Sequence, residues 1–461
     1  MRPQARPTAV TILLVLALLA TTASTALATG HPTDGDQDVV LTLGEAVARA
    51  LDSHPSVGAA RAAVEAAEAG VARARAAYWP ALRAGATVMR YEEPSLVAPL
   101  HGFDLMAPPE FDDKLLRTDL SASWTLYDGG GREAQVRGAR AGEAAAAAMS
   151  QGAEQALIAR VTLAYLEVVS ARDVLEASDR YLEALSAERE RVRLFLDEGR
   201  AAQLEMLRAN AALADARARR VETTSRLDLA EANLARLIGT TPDAVRADRL
   251  VGTQLITPGE TRTLDALIHA AEAGSPQLER ARHAVTAADA NRRLAASAWI
   301  PSVDVFGSYL GFASEDVDLV TEWQMGAALS FPLFTGGERM NAHRAAKAEA
   351  RRVREDLRLA ELEVATGVDA ALNALAMAAA RAEAVAEAAR HQEEVTRTEM
   401  LTLRTGAGTQ TDYLRAEADL LRIRSALVEA RNSKIAAGVE LARVTGELTS
   451  AWLDENLESL R

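Results

Sequence analysis

Within residues 131–199, apolar positions recur every seven residues from Val161 to Leu196, and a second series of small and apolar residues follows three positions after each step. Arg189 is the one interruption. A seven-residue repeat predicts a helix in left-handed supercoiled packing, and small residues allow a neighbouring helix to approach closely. The segment contains no proline, so the helix is ~100 Å long at 1.5 Å per residue. The two series are Val161, Val168, Leu175, Leu182 and Leu196, and Ala164, Ala171, Ser178, Leu185 and Val192.

A shorter return helix follows each long helix. Gly199 and Gly406 suit the positive φ of a helix C-terminus, and they predict turns at "DEGRAAQLEM" and "RTGAGTQTDY". The return helices end at Gly239 and Gly446, so each is about half as long as the outgoing helix. We expect the helix that opens each copy, of similar length, to be stacked end to end with the return helix.

The same unit is present twice in the chain. Three residue pairs near the start of the unit lie 221 positions apart, and five later pairs lie 207 apart. The first copy therefore has 14 extra residues, in the Pro-rich acidic loop "EEPSLVAPLHGFDLMAPPEFDDK". The pairs are Leu43/Leu264, Pro55/Pro276 and Pro80/Pro301, then Gly130/Gly337, Gly199/Gly406, Leu207/Leu414, Arg208/Arg415 and Gly239/Gly446. Each copy is predicted to open with one helix, which Pro80 or Pro301 ends.

Two strands are predicted after each opening helix, as β-hairpins at residues 81–127 and 302–334. Their β-branched and aromatic residues alternate loosely with small and polar ones, which fits a membrane barrel and a soluble hairpin equally. Four strands cannot close a barrel, and an open sheet edge cannot exist in lipid. A membrane barrel would need eight strands from a dimer or twelve from a trimer, and strand counting does not decide between them.

The N-terminus has the pattern of a secretion signal. Arg2 and Arg6 precede an apolar run, and small residues follow up to Ala28. The run is short for a retained membrane anchor, so the pattern predicts a signal peptide at residues 1–28. Removing the two arginines leaves 49 basic against 65 acidic side chains, a net charge of −16, which argues against nucleic-acid binding.

Several kinds of chemistry have no support in the sequence. The chain has no cysteine, no H-x-x-x-H pair and no G-x-S-x-G motif, so we expect no metal, no cofactor and no enzyme activity. Apart from the N-terminal signal pattern, no long apolar segment is present, and no run of 18 apolar residues exists, so the sequence predicts no membrane-spanning helix. Any spanning structure would have to be made of strands.

Glycines mark the passage from the second strand of each hairpin into the long helix. They are Gly129, Gly130 and Gly131 in "LYDGGGREA", and Gly336 and Gly337, after Pro332, in "FPLFTGGERM". Glycine lets the backbone change direction without a Cβ clash. A phosphate-binding loop is the alternative, but the Lys-Ser/Thr pair of such loops is missing from both copies.

With these features the sequence resembles the TolC family of outer-membrane efflux channels. The resemblance covers the mature chain and includes "TGAGTQTDYLRAEADL", which is similar to the family's Gly-then-Asp-x-Leu-x-Ala tip motif. It implies a homotrimer with a twelve-stranded outer-membrane β-barrel and a periplasmic α-barrel of long antiparallel coiled-coil helices. It also implies an exit duct that works with a periplasmic adaptor and an inner-membrane transporter. A soluble periplasmic coiled-coil scaffold is the alternative.

The resemblance also assigns roles at the tip. Asp412 matches the motif aspartate and Glu205 is its counterpart in the first copy, so a trimer would place six carboxylates around the entrance. Arg415 and Arg208 stand where some relatives have a second aspartate, and Arg415 could pair across a helix contact instead. Solvated charges beside a turn remain the simpler interpretation. The residues expected to face the adaptor are Gly199, Arg200, Gly406, Ala407 and Thr409.

The predicted organisation is mainly α with a small β part and an internal twofold repeat. The segments are a signal peptide (1–28), a first repeat (29–240) with its helical hairpin at 131–239, a linker (241–262), a second repeat (263–448) with its helical hairpin at 338–446, and a tail (449–461).

Overall fold

The computed structural model describes residues 41–101, 108–256 and 262–460, so the predicted signal peptide lies outside the described residues. The described part is mostly helical, which confirms the predicted class. The helices are α1 Leu43–Ser53, α2 Pro55–Ala76, α3 Gly131–Asp197, α4 Gln203–Leu237, α5 Leu264–Gly274, α6 Pro276–Ser297, α7 Glu338–Thr405, α8 Gln410–Thr445 and α9 Ser450–Asn456. The strands are β1 Ala81–Leu96, β2 Phe111–Tyr127, β3 Gly252–Leu255, β4 Ser302–Ser314, β5 Val320–Ser330 and β6 Leu457–Leu460.

The two predicted hairpins join into one antiparallel sheet of four strands, in the order β1-β2-β4-β5. The four strands lie within the predicted hairpins 81–127 and 302–334, except that β5 ends at Ser330 rather than near residue 334. Pro332 follows at once and has no N–H to donate to a neighbouring strand. The outer edges of β1 and β5 have no partner within the described chain.

The single opening helix expected in each copy is wrong. The structure has two helices in its place, separated at His54 in the first copy and at Ser275 in the second. Pro55 and Pro276 occupy the first turn of the second helix, where the missing N–H costs nothing. That helix also ends about one turn before the predicted proline, because a residue preceding proline disfavours the α conformation.

Helix α3 packs along its seven-residue repeat as predicted. All five residues of the second series are buried, among them Ala171, Leu185 and Val192, each 1% exposed. In the first series Val161 and Val168 are fully buried, whereas the later members are only half-buried. The seam therefore runs along the small-residue series toward the turn.

The short helices abut end to end, which confirms the predicted stacking. Ser53 at the end of α1 donates a hydrogen bond to the carbonyl of Ile238 at the end of α4, 3.3 Å away. In the second copy the backbone of Gly446 lies against Gly274 so closely that an added Cβ would be 2.1 Å from its carbonyl oxygen. Each long helix thus runs beside two shorter helices in succession.

The predicted linker and tail are not simple connections. Two 3-10 turns, Pro242–Ala244 and Ala247–Arg249, precede β3, and β3 pairs antiparallel with β6 near the C-terminus. Tyr165 of α3 ties this region to the core, because its hydroxyl donates to the carbonyl of Leu41 and accepts from the N–H of Val251, both at 2.9 Å. Burial raises the pKa of Tyr165 to about 12, so it stays a hydrogen-bond donor.

One helix of the described residues, α7, contains a stretch long and apolar enough to cross a membrane by length and composition. The sequence predicted none, because charged residues interrupt every apolar run. Alanine supplies most of this stretch, and α7 packs along α8 and against α6 within the chain. A long helix with many alanines reaches the length and mean hydropathy of a membrane-spanning helix through its composition alone.

Candidate functional site

The four-stranded sheet has one continuous apolar face. Residues paired across an antiparallel sheet share a face, so the register aligns Ala84, Leu120, Tyr309 and Trp323 in one row. Many of these side chains are exposed in the single chain; Met325 is 73% exposed. No charged residue stands on this face along the paired middle of the strands. Its large members are Leu82, Val88, Leu116, Leu120, Trp124, Val305, Tyr309, Trp323, Met325 and Leu329.

The opposite face is polar. One row contains Arg83, Ser121, Ser308 and Gln324, and the next contains Asp119 and Glu322. Thr125 donates a hydrogen bond to Asp304 over 2.6 Å at the helix-proximal end. A sheet that is apolar toward one side and polar toward the other, with exposed apolar residues, has the pattern of a membrane barrel with lipid outside and water inside.

The glycines at the strand-to-helix passage have two different roles. Gly129, Gly130, Gly336 and Gly337 have positive φ between 61° and 89°, a conformation that glycine adopts without a Cβ clash. Gly131 instead is the first residue of α3 with an ordinary backbone. A Cβ there would lie 2.9 Å from the hydroxyl of Ser297, so close packing explains this glycine.

Two arginines at this passage were missed by the sequence reasoning. Arg132 donates to the carbonyls of Thr125 and Leu126 at 2.5 and 2.9 Å and lies over the ring of Tyr78. Its repeat counterpart Arg339, 207 residues later, reaches the carbonyl of Leu333 at 3.4 Å and lies over Trp299 and Phe331. Each arginine thus donates hydrogen bonds to backbone carbonyls at the end of a strand or just after it. The repeated Gly-Gly-x-Arg in "GGGR" and "GGER" was the available signal.

We expect Arg132→Lys to lower the free energy of unfolding by about 1.5–3 kcal/mol, because a lysine cannot reach two carbonyls in a fork while covering an aromatic ring. Arg137→Lys is the matched control. Arg137 lies just over one turn after Arg132 on the same helix and makes only an exposed ion pair, with Glu133. Thermal unfolding of the extracted protein measures both. Equal melting temperatures for the two variants would contradict the role given to Arg132.

At the tip, Gly199 and Gly406 have φ of 70° and 77°, as expected for the ends of the long helices. The N–H groups of Arg200 and Ala407 turn back to helix carbonyls at 2.7 and 2.9 Å. Arg200 already has contacts within the chain, because its guanidinium covers the ring of Phe195 at 4.6 Å and pairs with Glu198. Phe195 was not singled out from the sequence.

Asp412 takes part in a helix cap. Thr409 is the N-cap of α8: its hydroxyl accepts from the N–H of Asp412 at 3.2 Å and donates to the Asp412 carboxylate at 2.6 Å. The carboxylate is nevertheless exposed, whereas Glu205 is half-buried. Arg415 is exposed, and it is Arg208 that crosses between the helices, donating to the Thr411 hydroxyl over 3.1 Å.

Behind the tip lies a buried polar cluster. The Glu188 side chain is 4% exposed and accepts two hydrogen bonds from Arg191 at 2.7 and 2.8 Å. The buried hydroxyl of Tyr413 donates to Glu417 over 2.9 Å. Burial raises the pKa of Glu417 above its ordinary value, with only part of this offset by the hydrogen bond and by Arg424.

Because the pKa of Glu417 is higher in the folded than in the unfolded protein, its contribution to stability is greatest at low pH and is lost as the pH rises through the folded-state pKa. We expect Glu417→Gln to raise the melting temperature at neutral pH, since the amide oxygen still accepts from Tyr413. The advantage should shrink as the pH falls toward about 4.3, the ordinary glutamate pKa. A variant less stable than the parent at neutral pH would contradict this reading; Glu429→Gln, exposed on the same helix, is the control.

A sheet with one lipid-compatible face, carried on paired helical hairpins, is typical of a protein whose strands are embedded in a membrane. The chain belongs to the outer membrane efflux protein family, whose model matches residues 46–240 and 267–447. This match confirms the resemblance seen in the sequence. The protein is therefore located in the outer membrane, extends into the periplasm, and serves as an exit duct of efflux or secretion systems.

Individual relatives agree over nearly the whole length. The chain is 28% identical to protein CyaE of Bordetella pertussis over 92% of this chain and 88% of that one. It is 22% identical to the outer membrane efflux protein BepC of Brucella suis over 94% and 91%. The crystal structure of the outer membrane protein VceC from Vibrio cholerae superposes with a TM-score of 0.72 at 21% identity, over 88% of this chain and 96% of that one. The last comparison shows a shared fold.

Proposed function

We propose that three copies of this chain assemble into a continuous duct, in which β1 of one copy pairs with β5 of the next. The apolar face and the two open strand edges are the observation that carries this proposal. In lipid an unpaired edge leaves N–H and C=O groups without partners, at several kcal/mol each, so the edges must meet other copies. Three copies provide twelve strands, enough for an open lumen.

The helices support the same closure. Within the chain α7 packs on α8, α8 on α3 and α3 on α4, so α4 and α7 are the outer members of the row. Both expose large apolar side chains that a soluble single chain would not leave in water. They are Leu204, Leu207, Val221 and Leu229 on α4, and Leu359, Leu362, Met377, Val395 and Leu401 on α7. We infer that α4 of one copy packs on α7 of its neighbour.

In the assembled duct the tip turns face a periplasmic adaptor, which couples the duct to an inner-membrane transporter. The proposal is supported by the two turns at the same end of the helical hairpins, which contain Gly199, Arg200, Gly406, Ala407 and Thr409. The duct conducts its cargo without chemical change, so the protein acts as a channel and not as an enzyme.

Thiol cross-linking tests the assembly directly, because the natural chain has no cysteine. Leu207 and Leu401 lie at similar distances from the tip turns, on α4 and α7. With both changed to cysteine, a short bifunctional reagent should link subunits into a ladder that ends at three copies. Leu163→Cys with Leu401→Cys is the control, since Leu163 is exposed on α3 far from the tip. Monomers alone from the Leu207 pair would contradict the proposed contact.

We further propose that Asp412 and Glu205 form an acidic ring at the periplasmic entrance. Three copies bring six carboxylates together, and their summed field favours cations. The exposed Asp412 carboxylate supports this, although it also accepts a hydrogen bond from Thr409, the N-cap of α8. We expect Asp412→Asn, which keeps a hydrogen-bond acceptor for Thr409, to lower cation selectivity in single-channel recordings, with Asp419→Asn as control. Unchanged selectivity would remove the ring from the account.

A further inference from the structure

The first hairpin departs from regular pairing near its distal end. The register between β1 and β2 shifts between Arg90 and Ser95, and the unpaired stretch includes Pro94, which cannot donate to a neighbouring strand. Beyond this bulge the chain continues as residues 95–101, here named the strap. The N–H of Val97 still bonds to the carbonyl of Glu110 at 3.0 Å, so the strap begins as an ordered extension of the hairpin.

The strap folds over the polar face of the sheet. Val97 is 4% exposed and packs in one cluster with Leu115 and Phe312, which are buried as well. Leu115 and Phe312 both lie on the polar face. Leu115 pairs with Met89, which lies on the same face of β1 as Arg83. Phe312 pairs with Arg117, which lies on the same face of β2 as Asp119. Three partly buried residues complete the cluster: Ala98 of the strap, Leu310 of β4 and Val317 of the turn that follows it.

Beyond the cluster the strap crosses toward the far strand. The Nε2 atom of His101 lies 2.8 Å from Oε1 of Glu322 on β5, and Glu322 belongs to the polar face. A residue that follows β1 thus reaches the opposite edge strand of the same sheet. The crossing passes over β2 and β4, at the ends of the strands that are distal from the helices.

The second hairpin has no equivalent. Its strands are joined by a short turn in which Ser314 accepts hydrogen bonds from Asp316 and Val317, and the 14 extra residues of the first copy are absent there. The strap is therefore a feature of one copy of the repeat, laid over a sheet that the other copy helps to build.

We propose that the strap narrows the outer mouth of the duct and sets the largest molecule that can pass it. This inference rests on the proposed function, which makes the polar face the lumen wall. Three straps, one from each subunit, then project into the lumen at the same level. The apolar contact of Val97 and the contact between His101 and Glu322 hold each strap against the wall.

Thiol labelling from outside intact cells tests this. Ser308 lies on the polar face, four residues along β4 from Phe312 toward the helices, and so below the strap. Ser308→Cys is treated separately with a small methanethiosulfonate and with a large polyethylene glycol maleimide. Each reagent is applied in three backgrounds: the parent strap, the His101→Ala variant, and the double variant Val97→Ser with His101→Ala. Asp318→Cys, exposed in the distal turn, is the control for reagent and protein amount.

We expect the small reagent to label Ser308→Cys in every background. Labelling by the large reagent should be slow in the parent and should rise several-fold in His101→Ala and further in the double variant. His101 is largely exposed, so the single variant keeps its fold even if the double one does not. Equal rates for the large reagent in all backgrounds would overturn the strap and leave the duct intact. If neither reagent reaches Ser308→Cys while Asp318→Cys reacts, the polar face is not a lumen wall and the proposed duct itself is wrong.

Discussion

Met325→Arg should abolish the assembled protein in the outer membrane. Met325 lies in the middle of β5 on the apolar face and is 73% exposed. It pairs with Gly307, in the row of the sheet that also contains Leu82. An arginine facing lipid near the bilayer midplane costs ~2–4 kcal/mol, and a trimer would contain three of them. We expect little heat-resistant assembly in outer-membrane fractions and accumulation of unassembled chain.

Gln324→Arg is the matched control for this prediction. Gln324 is the neighbouring residue, and successive side chains of a strand point to opposite faces, so its arginine enters the polar side beside Ser308. We expect normal amounts of assembled protein from this variant. If both arginines were tolerated equally, the assignment of the apolar face to lipid would fail, and a soluble scaffold would become the better account.

Gly446→Ala should be the most damaging small substitution in the helical part. Gly446 caps α8 with φ of 79°, and an added Cβ would be 2.1 Å from the carbonyl oxygen of Gly274. Backbone atoms on both sides cannot give way as a flexible side chain can, so the stacked ends of α8 and α5 would have to separate. We expect a loss of about 1–3 kcal/mol from overpacking in addition to the cost of a left-handed alanine.

Gly406→Ala isolates the conformational part of that cost. Gly406 caps α7 with nearly the same φ, 77°, but nothing lies within 4 Å of its added Cβ. The variant should lose only about 1–2 kcal/mol, the cost of the left-handed conformation. The temperature at which the extracted protein loses helical circular dichroism compares the two. A melting temperature no lower for Gly446→Ala than for Gly406→Ala would show that the helix ends are not tightly stacked.

Much of the helical architecture could be predicted because it depends on regular spacing. The series that includes Ala171 and Leu185 is buried as its period required, and Gly199 and Gly406 end helices where a positive φ was expected. The end-to-end stacking followed from helix lengths, since each return helix was about half as long as the long helix and left the other half to the opening segment, although that segment is divided into two helices. These features rest on local chemistry repeated along the chain.

Other features needed the fold. Proline at position 55 can start a helix or interrupt one, and only the contacts of His54 and Ser56 distinguish the two outcomes. Loose alternation in β4 could not show that Tyr309 stands in line with Leu120 and Trp323, because the register joins strands from both copies. Arg132 looked like an ordinary helix-surface charge until the strand carbonyls came within its reach.

The tip shows the same limit. The motif position of Asp412 was recognisable, but its hydrogen bonds with the N-cap Thr409 also give it a structural role at the start of α8. Asp412 can serve both purposes, since the hydrogen bond from Thr409 uses one carboxylate oxygen and leaves the charge exposed. Spacing alone does not separate a structural from a functional carboxylate.

The most direct measurement of the central claim is an electron cryomicroscopy structure of the protein extracted into lipid nanodiscs. The account predicts three copies around one axis, with β1 of each hydrogen-bonded to β5 of its neighbour, the row of Leu120 and Trp323 toward lipid and the row of Ser308 toward the lumen. A particle in which β1 and β5 of the same chain meet, or in which the apolar row faces the interior, would contradict it.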